Sequence, residues 1–199
     1  MKRYRYNKKG NINKQNVDIK CSKKWISKKH VWKLSFYSAC IYMSAFILGL
    51  LLSRNMGIEA GKTVGVQSSA IDYITHNLKS AVFVASGVIT VSLGTIYYLF
   101  LNGFFLGAAF VAVGDFHSYG VAIASILVHG IFELPAIILV GGIGLYPVCI
   151  IYYLLKNKKV NIRILLWNCI FMSVISISLF IIAAILEAYI SPIIINWVS

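Results

Sequence analysis

The sequence has 199 residues, of which 59% are hydrophobic and 13% are charged, and its mean hydropathy is +0.78. This balance is too apolar for a water-soluble domain, and no polar stretch is long enough to enclose a large soluble catalytic domain. Nineteen Lys and Arg against six Asp and Glu give a net charge of +13, concentrated near the N-terminus. The composition therefore predicts an integral membrane protein and argues against a nucleic-acid-binding fold spread along the chain.

Residues 1–33 form a basic tail in which twelve bases and Asp18 give a charge of +11. Lys and Arg accumulate on the cytoplasmic side of membrane proteins, so we expect a cytoplasmic N-terminus. Anionic lipid head groups are the expected partners of the tail, and its polar composition predicts partial disorder. An acidic cytoplasmic protein could use the same charge, whereas binding of nucleic acid is not expected because the tail has no recognisable binding module.

Residues 34–199 are predicted to form an all-α, polytopic transmembrane bundle of about five helical spans. Ser69 and Asp72 have the spacing of a capping box and predict a short amphipathic helix at the membrane interface. Asn102 and Gly103 predict a turn, after which the apolar run is short for a full crossing. The expected spans are 34–52, 81–101, 103–116 (short or partly re-entrant), 135–155 and 164–186.

The apolar run from residue 121 to 155 is too long for one crossing, because 35 residues of helix extend about 50 Å. Proline lacks an N–H and disfavours helical geometry at the preceding residue, so Pro135 is the expected interruption. We therefore predict a helix that ends near His129 or Gly130 and a new span that begins near Pro135. Together with the short segment before it, this makes 103–135 a region of half-helices or broken helices.

The loop that follows the fourth span is basic, because it carries Lys156, Lys158, Lys159 and Arg163. By the same bias this loop is cytoplasmic, like the N-terminal tail, so an even number of crossings lies between them. The fifth span then leaves the C-terminus outside. The prediction is a multi-pass protein of the cell membrane.

Three residues in apolar surroundings are the candidates for chemistry: His129, Glu133 and Glu187. A charged acid at the centre of a membrane helix costs roughly 2.5 to 3.5 kcal/mol, and the topology brings both glutamates near the outer boundary. The favoured interpretation is structural: Glu133 accepts hydrogen bonds from the N–H groups freed by a break at Pro135. The alternatives are a converging cluster that handles protons or ions and, least favoured, a metal site.

Catalytic and cofactor motifs are absent from the sequence, which has no Walker loop, HExxH or CxxC. Four cysteines show no paired spacing, which argues against a disulfide framework. We therefore predict a protein that is not an enzyme and that has no catalytic residues, cofactor or metal.

Small residues make smooth helix faces that permit close approach of backbones in lipid. Gly103 and Gly107 form one such face, and Gly141, Gly142 and Gly144 form another. These faces can pack helices of one chain, which we consider the commoner use, or bind a protein partner or a second copy.

The order of these motifs resembles the stage II sporulation protein M family. The resemblance rests on Asn102-Gly103, then His129-Gly130-x-x-Glu133-Leu134-Pro135, then Gly141-Gly142-x-Gly144, then Ala184-x-x-Glu187, and it covers about residues 77 to 192. It implies structural roles for Asn102, Gly103, Gly130, Pro135, Gly141, Gly142 and Gly144. The basic tail is not part of the family pattern.

The resemblance implies a polytopic membrane protein without enzymatic activity, which acts as a scaffold or component of a cell-envelope complex. The alternative is a small transporter or channel component that uses His129, Glu133 and Glu187 as an intramembrane ion or proton site. A water-filled path lined by these residues would favour the transporter, whereas a dry cluster would favour the scaffold.

Overall fold

The structure is a computed structural model that describes residues 28–56, 69–157 and 160–198. Most of the predicted basic tail, residues 1–27, lies outside the described residues. The last residues of that tail belong to the first helix, which begins at Lys28. Across the described ranges the regular structure is helical, without strands, which confirms the predicted all-α class.

The chain forms a bundle of long helices joined by short turns. Four stretches are long and apolar enough to cross a membrane: Trp32–Arg54, Leu93–Phe116, Gly130–Leu155 and Ile162–Tyr189. A polytopic membrane protein is therefore confirmed. In chain order the helices are α1 Lys28–Met56, α2 Ala70–Ala85, α3 Leu93–Phe116, α4 Tyr119–Gly144, α5 Tyr146–Leu155, α6 Ile162–Tyr189 and α7 Ser191–Val198.

Helices α1 and α3 pack side by side and run in the same direction. A Cβ atom added at Gly103 would overlap the carbonyl oxygen of Tyr42, and one added at Gly107 would overlap that of Phe46. On the other helix, a Cβ at Gly49 would overlap the carbonyl oxygen of Phe104. The two backbones touch because both sides lack side chains at these points.

Because α1 and α3 are parallel, the chain must return along the bundle between them, and α2 makes that return. Its 16 residues continue into a 3-10 turn of 3 residues, Ser86–Val88, and together they extend roughly 28 Å, close to the thickness of the hydrocarbon core. The Thr95 hydroxyl of α3 donates to the Val84 carbonyl at 2.6 Å, which fixes the hairpin. Helices α1, α2, α3, α4 with α5, and α6 thus run along the bundle in turn, and four of these five segments contain a stretch long and apolar enough to cross a membrane.

The N-terminus of α2 has the predicted capping box. The Asp72 N–H donates to the Ser69 hydroxyl at 3.2 Å, and the Ser69 N–H donates to the Asp72 carboxylate at 3.0 Å. The predicted position at the interface is different in the structure, since α2 packs lengthwise against α3, α4 and α6. The predicted span 81–101 is therefore wrong, because residues 81–85 belong to α2 and residues 93–101 belong to α3.

The predicted turn at Asn102 and Gly103 is also wrong, because α3 continues through both residues. Gly103 serves the contact with α1 and leaves the helix intact. Segment 103–116 is accordingly the second half of a full span, and the chain turns only at His117 and Ser118.

The predicted break at Pro135 is absent, and α4 is a single helix from Tyr119 to Gly144. The residues that follow the proline, Ala136 and Ile137, are fully packed in the core, and this packing offsets the hydrogen bond that proline cannot donate. The interruption comes after Gly144, and Pro147 stands in the first turn of α5, where its missing N–H has no helical partner to lose.

The end of the bundle formed by the last turns of α1 and α3 and the start of α4 is joined by three polar side chains. Arg54 Nη2 lies 3.2 Å from Asp115 Oδ1 and donates to the Tyr119 hydroxyl at 2.8 Å, and that hydroxyl donates to Asp115 at 2.8 Å. The N-terminal turns of α1 lie at the opposite end, beside Ile143, Leu145 and Tyr146.

Replacement of Gly103 by valine tests the contact between α1 and α3. The added atoms have no room against the α1 backbone, so we expect a loss of about 1 to 3 kcal/mol and a lower melting temperature in detergent. The matched control is Gly130→Ala, because a Cβ there would meet only Ile126 Cγ2 at 3.9 Å. Equal melting of the two variants would contradict the close contact.

The topology predicts opposite accessibility of the two ends of the bundle. In intact cells and a cysteine-free background, an impermeant thiol reagent should label a cysteine at Ser118 and not one at Asn157, because the basic loop is expected inside. After permeabilisation both should react. The reversed pattern, with the cysteine at Asn157 labelled from outside and the one at Ser118 protected, would show that α2 does not return the chain across the membrane.

Candidate functional site

The centre of the bundle is a hydrophobic cluster to which five helices contribute. Its buried members are Tyr42 of α1, Val84 of α2, Leu99 of α3, Ala136, Ile137 and Val140 of α4, and Phe180 of α6. Ala81 packs against it from α2. The candidate site is the layer of side chains next to this central cluster.

One helical turn away from the central cluster, two helices place a polar side chain on the face that points to the core. Asn77 lies one turn from Ala81 on α2, and Glu133 lies one turn from Ile137 on α4. Residues four apart share a helix face, and α2 and α4 run in the same direction. Asn77 and Glu133 therefore belong to the same layer of the bundle.

The other three helices reach this layer with small residues or an amide. Ala45 follows Tyr42 on α1, Asn102 and Gly103 follow Leu99 on α3, and Ala183 and Ala184 follow Phe180 on α6, and all but Asn102 are buried. We call Asn77, Asn102 and Glu133, together with the Tyr42 hydroxyl, the polar layer. At this level the side chains that α1 and α6 contribute are small, so the polar groups are the larger side chains of the layer.

The polar layer lies near the middle of the candidate membrane-spanning stretches. Ala45 and Gly103, which are level with it, stand near the centres of the spans Trp32–Arg54 and Leu93–Phe116. Glu133 is 6% exposed, and its carboxylate interacts electrostatically with Tyr42, which is 5% exposed. A carboxyl group at this depth is costly, so it has a specific environment or a specific role.

The two amides of the layer differ in their hydrogen bonding. Asn102 donates from Nδ2 to the Tyr98 carbonyl of its own helix at 2.7 Å. Asn77 is completely buried, and neither its Oδ1 nor its Nδ2 has a hydrogen-bond partner among the described residues. A buried amide in this condition costs several kcal/mol unless something else binds it.

The structure separates the predicted trio over two levels of the bundle. Glu133 lies in the polar layer and not at the outer boundary, and it does not cap a helix, because α4 is unbroken at Pro135. Glu187 is half-buried on α6, one turn beyond Ala184, and position 129 is one turn beyond Glu133 on α4, its side chain lying outside the described part of the chain. A joint His129, Glu133 and Glu187 site stays a prediction.

Sequence reasoning missed Asn77 and Tyr42. Asn77 stands in a polar segment that was interpreted as interfacial, and its burial follows only when α2 is known to return through the bundle. Tyr42 is one aromatic among many, and the sequence has no signal that selects it. Asn102 was found, but as a turn residue.

The outer face of α2 carries a second polar group of residues. Asp72, Thr75, His76 and Lys79 follow the spacing of one helix face, and all four are exposed. We call these four residues the α2 polar face. His76 and Lys79 flank Asn77 in sequence, so this face reaches the depth of the polar layer.

At that depth the other helices present apolar side chains to the outside. The exposed residues next to the layer are Ile47 on α1, Phe105 on α3, Ile131 on α4 and Ile182 on α6. At this depth the outer surface of the bundle is therefore suited to contact with lipid on four helices and unsuited to it on α2.

The predicted faces of small residues pack helices of this chain against one another. A Cβ at Gly141 would overlap Ser38 Oγ, one at Gly142 would meet Ser35 Oγ at 2.9 Å, and one at Gly144 would overlap Thr95 Oγ1. The glycines thus bring α4 against α1 and α3. Among the described residues no group of three or more His, Cys, Asp or Glu is placed to hold a metal ion.

Comparison with known proteins gives one family and one curated relative. The family model described as stage II sporulation protein M matches residues 34–192, which include every residue of the polar layer and of the α2 polar face. An uncharacterized protein of Methanocaldococcus jannaschii is 29% identical over 160 residues, which cover 76% of this chain and 90% of that protein. No solved structure matches. The chain belongs to the stage II sporulation protein M family.

Proposed function

We propose that the protein is a non-catalytic component of a cell-envelope complex, a membrane scaffold that binds a transmembrane helix of another protein through the α2 polar face. The observation that carries the proposal is the exposure of Asp72, Thr75, His76 and Lys79 on one side of a helix that crosses the bundle. Family membership supports it, since the resemblance implies a scaffold.

The energetic argument starts from Lys79, which is exposed near mid-depth of the bundle. A lysine at the centre of a membrane helix costs roughly 2.5 to 3.5 kcal/mol on insertion scales, and a carboxylate on a neighbouring helix reduces this cost by pairing. The complementary partner helix therefore carries an Asp or Glu at the depth of Lys79 and hydrogen-bonding groups opposite Thr75 and His76.

A second copy of this chain is less complementary. The basic tail orients every copy alike, so two copies related by a two-fold axis normal to the membrane bring Lys79 towards Lys79. Like charges in a low-dielectric layer repel. We infer that the occupant is a different protein.

Photo-crosslinking in the organism's own membranes tests this proposal. A photoreactive phenylalanine analogue at Thr75 should give one discrete protein adduct, whereas the same analogue at Val174, which is 59% exposed on the apolar face of α6, should give none. Adding Lys79→Leu to the Thr75 probe should abolish the adduct, because the partner carboxylate loses its cation. Equal adducts at both positions, or an adduct that survives Lys79→Leu, would contradict the proposal.

The Lys79→Leu variant also has an expected property in isolation. Lys79 is exposed and makes no salt bridge among the described residues. Its replacement should therefore change the free energy of unfolding of the purified protein by no more than about 0.5 kcal/mol, as for surface substitutions in general. The melting temperature should accordingly stay nearly the same. This measurement separates loss of the partner from loss of the fold.

A further inference from the structure

The end of the bundle where α1 and α6 begin carries a concentration of positive charge. We call it the basic end, and its exposed cations are Lys33 of α1, Lys156 at the end of α5 and Arg163 of α6. Leu34 and Leu165 pack in one hydrophobic cluster, so the first turns of α1 and α6 lie at the same level. The three cations therefore share one boundary of the candidate membrane-spanning stretches.

The carboxylates of the described ranges lie away from the basic end. Asp72 and Asp115 are at the opposite end, Glu133 is in the polar layer, and Glu187 is one turn beyond that layer. The sequence from residue 134 to residue 186 has no Asp or Glu at all. The cations of the basic end thus have no acidic side chain beside them in the described part of the chain, and an anion from outside the protein can serve as counter-ion.

The two described arginines show the difference between the ends. Arg54 pairs with Asp115 at 3.2 Å and donates to the Tyr119 hydroxyl. Arg163 is exposed and makes no salt bridge with any described residue. Its guanidinium is therefore free to bind a ligand.

An open groove of about 390 Å³ runs along the outside of α6 beside this arginine. Its lining residues are Ile162, Arg163, Leu166, Trp167 and Ile170, whose spacing places them on one side of the helix. All five are exposed, and Arg163 is the one charged residue among them. The groove accordingly has a cation near one end and an apolar wall over the next two helical turns.

The length of α6 sets the depth of the groove. The helix has 28 residues and extends about 42 Å, whereas a hydrocarbon core is about 30 Å thick. A helix centred in the membrane therefore places Arg163 among the head groups, Trp167 near the boundary and Ile170 beside the acyl chains. Tryptophan prefers this boundary, and Trp32, at which the candidate span of α1 begins, is exposed at the same end.

The two halves of the groove match the two halves of a phospholipid. A guanidinium binds phosphate oxygens through parallel N–H donors, and Leu166 and Ile170 offer apolar surface to an acyl chain. A zwitterionic lipid would bring its own cation close to Arg163, which an anionic lipid does not. We propose that the groove binds one anionic phospholipid, with its phosphate on Arg163 and an acyl chain along Leu166 and Ile170. This site does not include the α2 polar face, so the two proposals can fail separately.

Quenching of Trp167 fluorescence by brominated lipid tests the site in the full-length protein. Trp25, Trp32 and Trp197 are replaced by phenylalanine, and the protein is reconstituted in phosphatidylcholine vesicles. A minor fraction of the lipid carries bromine on its acyl chains and is either phosphatidylglycerol or phosphatidylcholine. Phosphatidylglycerol should occupy the groove about fivefold more readily than phosphatidylcholine, which is the size expected for one arginine near anionic lipid.

A matched pair of variants separates the groove from the general charge of the basic end. Arg163→Gln should remove the preference for phosphatidylglycerol, because the phosphate loses its guanidinium. Lys156→Gln removes one cation from the same end but outside the groove, since Lys156 Nζ lies over the Tyr152 ring at 5.9 Å from its centroid. This control should keep the preference. Both side chains are exposed, so both variants should melt like the parent protein.

Three results would overturn the proposal. The first is equal quenching by the two lipids in the protein with Arg163 intact, a comparison that needs no charge variant. The second is a preference that survives Arg163→Gln, or one that Lys156→Gln abolishes to the same extent, because either would indicate diffuse attraction. The third is loss of the preference when inorganic phosphate is added at constant ionic strength, which would identify a free anion as the occupant. A preference that is unchanged in phosphate supports the lipid.

Discussion

The close parallel contact of α1 with α3 is the constraint on which the rest of this structure depends. Gly49, Gly103 and Gly107 let the two backbones meet, and two parallel neighbours oblige the intervening chain to return along the bundle. The return is made by α2, a segment that contains Asp72, His76, Asn77 and Lys79. One face of this polar helix is therefore buried in the core, and the other is exposed among apolar neighbours.

The sequence predicted the all-α membrane class of the fold, but it did not predict the limits of the helices. Apolar composition, tail charge and the capping box are local signals, and they lead to an all-α membrane bundle and to the start of α2. The path of α2 is set by α3 packing on α1, which no local pattern encodes. The span assigned to 81–101 failed for this reason, and the same error hid Asn77.

Pro135 shows why a strong local rule can fail inside a bundle. Proline removes one backbone hydrogen bond, but Ala136, Ile137 and Val140 are packed against four other helices, and breaking α4 would expose them. The capping role of Glu133 depended on that break and disappears with it. Glu133 stays a predicted candidate after the break is lost, because the cost of a carboxylate in lipid is a property of the residue type and does not depend on the helix limits.

The two faces of α2 have different surroundings. Asn77 is completely buried and Glu133 is 6% exposed, so the polar layer belongs to the interior of the bundle. The accessible polar groups are instead on the outside of α2, where they meet lipid or another helix. Because α2 packs on α3, α4 and α6, the packing that fixes its inner face also fixes the position of Lys79 and the residues beside it. The buried face of α2 thus holds in place the exposed face through which we propose that the protein binds its partner.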